Sequence, residues 1–375
     1  MRAKAINELA HILKIHLGWN KARIDCLTRI IIGLFTVKTV NLVELSQAFI
    51  SKAKPQSSYK RIQRFLRSFT FDVDMVAALI VRLFFPRIGG YYLSLDATHW
   101  DVGKKTVKIL MLAMIYNGVA IPLYWKILNK RGATNNEERL ELLQKFIKNF
   151  GKKRIAGLIA DGEFASNEMF AFLKKHRIHF FIRGHLDTLI TTPDKQVTHI
   201  HDYFYHSKIG REIAPRGRFI ALGQKVGIAA MRLNRRDILV ILTSSSQDEA
   251  LRVYRYRSQI ETLFSALKTK GFCFEDTHIS EISRINKLLA IVVLAFCWAH
   301  YTGEWLHHKV KKINIKNNGN KLYSFFRYGF DYIRQHLLNA QSLVNGLLRV
   351  IKRFGCVLEN PRNHGIPNKL FFSSS

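Results

Sequence analysis

The sequence predicts an α/β protein in which a mixed sheet carries the chemistry, with helical, strongly basic segments on either side. Three observations lead there. Residues 1 to about 88 repeat the helical period. From 89 to about 185, β-favouring runs with turn signals between them interleave with two helical runs. From about 190 to 245 the chain is irregular and β-like, and it closes on a strand followed by two helices. Strands separated by crossover helices predict a mixed sheet with helices packed on it.

Taken in order, AINELAHILKIHLG, CLTRIIIGLFTVK, VNLVELSQAF and SYKRIQRFLRSF each carry helical periodicity. Residues 54–58, KPQSS, supply a turn and N-cap signal before the fourth. Along that fourth helix Lys60, Arg61, Arg64 and Arg67 are spread against Ile62, Phe65 and Leu66, which predicts a basic, DNA-contacting face. After a Gly-Gly break, GGYYLSLDATHWDV reads as a strand, and TVKILMLAMIYNGVAIPLYWKILNK as a strand pair turning at Asn117 and Gly118. NNEERLELLQKFIKNFG is a helix with an Asn cap and a Gly stop. RIAGLIADGEF is a buried strand ending in acids, SNEMFAFLKKHR a short helix and IHFFIRGH another strand. RDILVILTSS closes the irregular stretch. A long helix over about 248–270 follows, then a very apolar one over about 283–306, then a basic tail with helical LYSFFRYGFDYIRQHLLN and AQSLVNGLLRVIKRFG. Three regions result: a helical part (1–88), an α/β part (89–306) containing a β-rich stretch (190–245), and a basic C-terminal part (307–375).

Charge is the strongest bulk signal. There are 59 Lys and Arg against 27 Asp and Glu, a net +32, with a pI near 10.2. Such an excess repels itself in a compact chain and points to a polyanionic partner, best met by nucleic acid. The excess is spread, with fifteen Lys/Arg against five acids in residues 1–95 and twelve against three in residues 300–375. The longest apolar run, LLAIVVLAFCWA, has twelve residues, too few to span a bilayer. The N-terminus lacks the uninterrupted apolar core of a cleavable signal. Cys26, Cys273, Cys297 and Cys356 show no C-x-x-C spacing, which argues against a zinc module or disulfide framework and for a reducing cytoplasm.

Chemistry concentrates in three carboxylates. Asp96 in YLSLDATHW and Asp161 in LIADGEF stand at strand ends, where an aspartate among apolar neighbours is costly unless paired or metal-bound. Glu261 lies in YRYRSQIETLFSALK. On a straight helical wheel Tyr254, Arg257, Glu261, Ser265 and Lys268 share one polar stripe beside a buried face of Ile260, Leu263, Phe264 and Leu267. Three acids from three elements suit Mg²⁺ or Mn²⁺, and two such ions could activate a water and stabilise a leaving oxygen at a phosphodiester. Taken singly, each acid is also explained as a strand-end or capping residue. Glu163 and Asp101, nearby, are accounted for as a helix-entry acid and a turn acid.

The set resembles the DDE transposases of bacterial insertion sequences, in the family numbered four. Tyr254, Arg257, Glu261 and Lys268 reproduce its Y-x2-R-x3-E-x6-K signature. LSLDATH resembles its first-acid context, and IADGEF with FFIRGH its second. IPLYWKILNKRGATNNEER and LKTKGFCFEDTHISEISRINKLLAIVVLAFCWAH resemble the stretches that follow. One position departs: the family usually has a basic residue after its second aspartate, where Gly162 stands here. The resemblance, from about residue 91 to 300, implies an RNase H-like core interrupted by an inserted β-rich subdomain between Asp161 and Glu261. It implies two divalent ions held by Asp96, Asp161 and Glu261, with Tyr254, Arg257 and Lys268 binding phosphates beside the cleaved strand end. Trp125 and Trp298 are candidates to stack on a displaced base, although their apolar surroundings favour core packing. The implied activity is cleavage at the ends of the protein's own element and strand transfer into target DNA. The implied partners are double-stranded DNA, as terminal inverted repeats and target, and a second copy of the chain, with no membrane; residues 1–88 would be the DNA-binding part, 89–306 the catalytic part and 307–375 the place for dimerisation. A DNA-binding protein without turnover and a metal-dependent nuclease without strand transfer are the other readings.

Overall fold

The computed structural model describes residues 2–49, 53–85, 89–102, 105–317, 319, 321–339 and 344–359. Five helices come first: α1 (Arg2–Leu17), α2 (Lys21–Val37), α3 (Leu42–Gln47), α4 (Pro55–Ser68) and α5 (Val73–Phe84). Asn20, Asn41 and Asp72 cap α2, α3 and α5, their side-chain oxygens accepting backbone N–H bonds from the first turn. The turn signal over 54–58 resolves into a helix that opens on Pro55, with no side-chain cap from Lys54. Proline's fixed φ and missing N–H suit the first helical position, so the serines fall inside the helix.

The core sheet begins with β1 (Tyr91–Val102), β2 (Lys105–Tyr116) and β3 (Val119–Leu128). Asn117 and Gly118 both take positive φ, 40° and 92°, as the tight two-residue hairpin requires. Helix α6 (Asn136–Phe150) carries a capping box between Asn135 and Glu138. Strand β4 (Ile155–Ala160), α7 (Asn167–Lys175) and β5 (His179–Arg183) follow. The strand order β3-β2-β1-β4-β5, with β1–β3 antiparallel and β1, β4 and β5 parallel, is RNase H-like.

Between β5 and the acid-bearing helix lie β6 (Leu189–Thr191), β7 (Val197–His199), the short helix α8 (Ile200–Tyr203), β8 (Glu212–Ile213), β9 (Phe219–Ala221), β10 (Gln224–Arg232) and β11 (Ile238–Thr243). This is the β-rich insertion expected from the sequence, and it is continuous with the core: β11 pairs antiparallel with β5, and β10 with β11, so it prolongs the core sheet at its edge.

Next come α9 (Ala250–Tyr254), a 3-10 turn (Arg255–Arg257), α10 (Ser258–Ser265) and a π turn (Ala266–Lys270). The one continuous helix expected over 248–270 is therefore tightened once and widened once. The tight turn falls where Tyr254 and Arg257 bond to groups on β1 and just past β4, contacts that a straight wheel cannot anticipate.

Helix α11 (Ile282–Lys309) is buried along most of its length, and the apolar run read from the sequence lies inside the core. Among the described residues it is the one helix long and apolar enough to cross a membrane, and 72% of its apolar window is buried. Helices α12 (Phe325–Leu338) and α13 (Val344–Glu359) complete the fold. α12 crosses α11 with the backbones in contact: a Cβ on Gly303 would lie 1.8 Å from the Phe325 carbonyl oxygen, and one on Gly329 1.9 Å from that of Ala299. The N-terminal helices join this bundle, α2 against α11 and α12, and α1 against α13. Phe35 of α2 is its hub, 5.2 Å from both Trp298 and Phe330.

Candidate active site

Asp96 and Asp161 come together because β1 and β4 are parallel neighbours. The last paired residues are Leu95 and Ala160, so the two aspartates occupy the next step on adjacent strands. Asp161 stands just past the end of β4. Asp96 does not stand at a strand end, as the sequence suggested: β1 runs six residues further, held by its antiparallel pairing with β2 through Val102. Each aspartate accepts a backbone N–H from the next residue, Asp96 from Ala97 at 2.8 Å and Asp161 from Gly162 at 2.9 Å.

Arg257 binds all three acids. Its Nη1 lies 3.3 Å from Asp96 Oδ2 and 2.8 Å from Glu261 Oε1, and its Nη2 3.0 Å from Asp161 Oδ2. Its Nε donates to Tyr254 Oη at 3.1 Å, and Tyr254 donates in turn to Asp161 Oδ1 at 3.3 Å. Guanidinium geometry explains the choice of residue: a planar fork of N–H donors can serve several oxygens at once. Glu261 is the most exposed acid at 59%, against 14% for Asp96 and 33% for Asp161.

Electrostatics follow from this enclosure. Burial pushes the Asp96 carboxyl up to about 6, partly offset by the charge of Arg257. Burial, reinforced by the charge of Asp161, pushes Tyr254 up to about 12, so it stays a hydrogen-bond donor at neutral pH. Burial alone would lower Arg257, but Asp96, Tyr254 and Asp161 together hold it above its ordinary value.

Among the described residues, no three acidic, His or Cys side chains close on a single point as a formed metal shell does. The guanidinium is broader than a metal ion and keeps the carboxylates spaced around itself. The donor set nonetheless fits Mg²⁺ or Mn²⁺, with three carboxylates as hard oxygen ligands and one of them exposed.

The other predicted residues divide. Tyr254 and Arg257 sit within the acid cluster. Lys268 does not: its Nζ lies 3.0 Å from Glu275 Oε1 and 3.3 Å from the His99 carbonyl, on the flank of β1. Trp298 is 2% exposed and packs on Phe35. Trp125 is 7% exposed and donates from Nε1 to Asn286 Oδ1 at 2.6 Å. Both are core residues, closed to a stacking base.

Two features escaped the sequence. The His185 ring covers Gly162: Nε2 lies 2.9 Å from the Gly162 carbonyl, and a Cβ at 162 would meet the ring at 3.0 Å. Glycine at 162 thus leaves room for a histidine from the end of β5, a pairing that FFIRGH contains but does not reveal. Glu163 faces a cluster of its own, in which its Oε1 accepts from Lys108 and Thr134.

Residues 89–298 match the Transposase DDE domain family. No curated protein matches the chain. Among solved structures, it is similar to a chain of the piggyBac transposase synaptic complex with hairpin DNA, seen by cryo-EM. The identity is 12%, over 95% of this chain and 78% of that one, and the TM-score is 0.45. The family match runs from just before β1 into α11, takes in all three carboxylates and covers more than half of the chain, which therefore belongs to the Transposase DDE domain family.

Proposed function

We propose that the chain is a transposase of the insertion-sequence family numbered four, cleaving DNA at the ends of its own element and joining them to target DNA. One observation carries this reading: carboxylates from β1, the end of β4 and α10 surround a single cationic group, Arg257. Asp96, Asp161 and Glu261 would hold two divalent ions, Mg²⁺ or Mn²⁺. Such ions supply an activated water on one side of a phosphodiester and charge stabilisation of the leaving oxygen on the other.

The chain's own groups do the rest. Arg257 offers a fork to phosphate oxygens as readily as to carboxylates, and Tyr254, kept protonated, orients Asp161 and Arg257 together. Lys268, on the flank of β1, is a point charge for the strand leaving the acids. Lys60, Arg64 and Arg67 line the exposed side of α4, while Arg61 bonds to Asp25 at 2.6 Å. With a net charge of +32, binding to double-stranded terminal repeats and target DNA should weaken steeply with salt. Two element ends need two active sites, so the working form is a dimer bound to paired ends, with the C-terminal helices as its contact. Such a protein works in the cytoplasm, at the nucleoid.

The test incubates purified protein with the DNA flanking its own gene, with and without Mg²⁺ or Mn²⁺. Metal-dependent nicks at inverted repeats and joined products support the proposal. Cleavage surviving Asp96→Ala, Asp161→Ala or Glu261→Ala would refute the triad, and nicking without any joined product would reduce the function to that of a nuclease.

A further inference from the structure

The turn that presents Asp161 is held by a residue that touches none of the groups around Arg257. Gly162–Phe164 forms one 3-10 turn whose N-cap is Asp161 itself. From that turn Glu163 Oε1 accepts three hydrogen bonds: from Lys108 Nζ at 2.9 Å, Thr134 N at 3.0 Å and Thr134 Oγ1 at 2.8 Å. Arg139 Nη2 adds a charge at 3.7 Å. Lys108 sits on β2 with its side chain only 4% exposed, and also donates to the Gly132 carbonyl at 3.3 Å. Arg139 Nε donates to Thr134 Oγ1 at 2.7 Å, and its guanidinium lies 5.0 Å from the Phe164 ring. Further along, Ser166 Oγ donates to Asn136 Oδ1 at 3.0 Å. Residues 163–166 are thus fastened to residues 132–139, the end of the β3–α6 connection and the first turn of α6.

We infer that Glu163 is the positioning residue of Asp161, fixing the turn from which that carboxylate reaches the site. Lys108 is buried and Glu163 about a third exposed, and an ion pair of this kind is a poor device for stability alone, since apolar residues of similar volume commonly serve as well. Three donors converging on one oxygen instead fix direction. Only one residue separates Glu163 from Asp161, and Asp161 Oδ1 bonds to the N–H of that residue, Gly162, so a shift of the turn moves the carboxylate with it. Supporting groups of this kind typically alter metal affinity about 10- to 100-fold when removed. The inference rests on the reading of Asp161 as a metal ligand.

The test titrates the full-length chain with Mn²⁺ alone, following free Mn²⁺ by electron paramagnetic resonance, and measures Tm beside it. Glu163→Gln keeps an acceptor for Thr134 and loses the charge facing Lys108, so its Tm falls while its Mn²⁺ affinity stays within about threefold of wild type. Glu163→Ala loses the acceptor, and its affinity falls about tenfold or more. The double variant Lys108→Met, Glu163→Leu removes both the buried ammonium and its partner charge, so its Tm recovers towards wild type while its affinity stays low. An unchanged affinity in Glu163→Ala, or affinities that simply track Tm across the three variants, overturns the inference while leaving the metal site standing. Wild-type protein that binds no Mn²⁺, or Asp161→Asn that binds it undiminished, overturns both.

Discussion

Replacing Arg257 with alanine should tighten metal binding while impairing work on DNA. Arg257 holds oxygens of all three carboxylates within 3.3 Å, so a divalent ion taking those oxygens must first displace it. Hydrogen bonds to charged groups contribute about 1.5–3 kcal/mol each when buried, and exposed ion pairs under ~1 kcal/mol. Glu261, 59% exposed, therefore counts for little. Asp96 and Asp161, with Arg257 itself 17% exposed, dominate the cost. Solvent and phosphate take up the released guanidinium, so displacement costs a net of roughly 2–3 kcal/mol. That corresponds to about 30- to 150-fold in affinity. Mn²⁺ titration of Arg257→Ala should show tightening of that order, and Arg257→Lys should fall between, since an ammonium cannot fork to three acids. On the proposed function, in which the displaced guanidinium is offered to phosphate, DNA-end cleavage by Arg257→Ala should drop. An Mn²⁺ affinity equal to or weaker than wild type would show that Arg257 does not compete for the acids.

Three further outcomes follow from other parts of the fold. Gly303→Ala or Gly329→Ala forces a Cβ into a carbonyl oxygen at the crossing of α11 and α12 and should cost about 3 kcal/mol or more; a Tm within a degree of wild type would contradict the close crossing. Glu304 is fully buried, accepts from Tyr116 Oη at 2.9 Å and Asn117 Nδ2 at 2.5 Å, and burial raises it from 4.5 to about 7. A raised folded-state value means that its contribution is intact below about 4.5 and is lost as pH climbs through about 7, by up to ~3 kcal/mol. Glu304→Gln should therefore flatten the fall in stability between pH 5 and 8 seen by denaturant titration, whereas a parallel curve for the variant would refute that role. Charge reversal at Lys60, Arg64 and Arg67 should weaken DNA binding and lower its salt slope by up to ~0.9 for each phosphate left without its cation, an unchanged slope placing the DNA elsewhere.

Much of the fold was legible because its signals are local. The Asn117–Gly118 turn demands positive φ at two successive residues, and the Asn135 cap with Glu138 announces α6. Pairing between distant strands leaves no such mark. Nothing within residues 238–243 says that β11 will lie against β5, so the 190–245 stretch could be read as a β-rich insertion but not as one that extends the core sheet. The strand itself was legible, since GGYYLSLDATHWDV alternates through Val102 where β1 ends; what was misplaced is Asp96, which the pairing with β2 puts within the strand rather than at its end.

The site divides along the same line between local spacing and distant contact. Spacing on one helix placed Tyr254, Arg257 and Glu261 together, and they do meet, although through a 3-10 turn rather than a straight α-helix. The same spacing put Lys268 on their stripe, and there it failed: Glu275 and the His99 carbonyl hold it away from the acids, while the chain widens into a π turn at that point. A wheel assumes one twist throughout, and two changes of twist within sixteen residues exceed what it can follow. Arg257 shows the limit from the other side. Its letter and its distance from Glu261 could be read directly, but its partners Asp96 and Asp161 lie 161 and 96 positions away in the chain. Only the parallel pairing of β1 with β4 makes one guanidinium sufficient for both. The cations around Glu261 are thus of two kinds, one engaged with the acids and one set apart on the flank of β1. Arg257→Ala should therefore change metal affinity, whereas Lys268→Ala should leave it as it was.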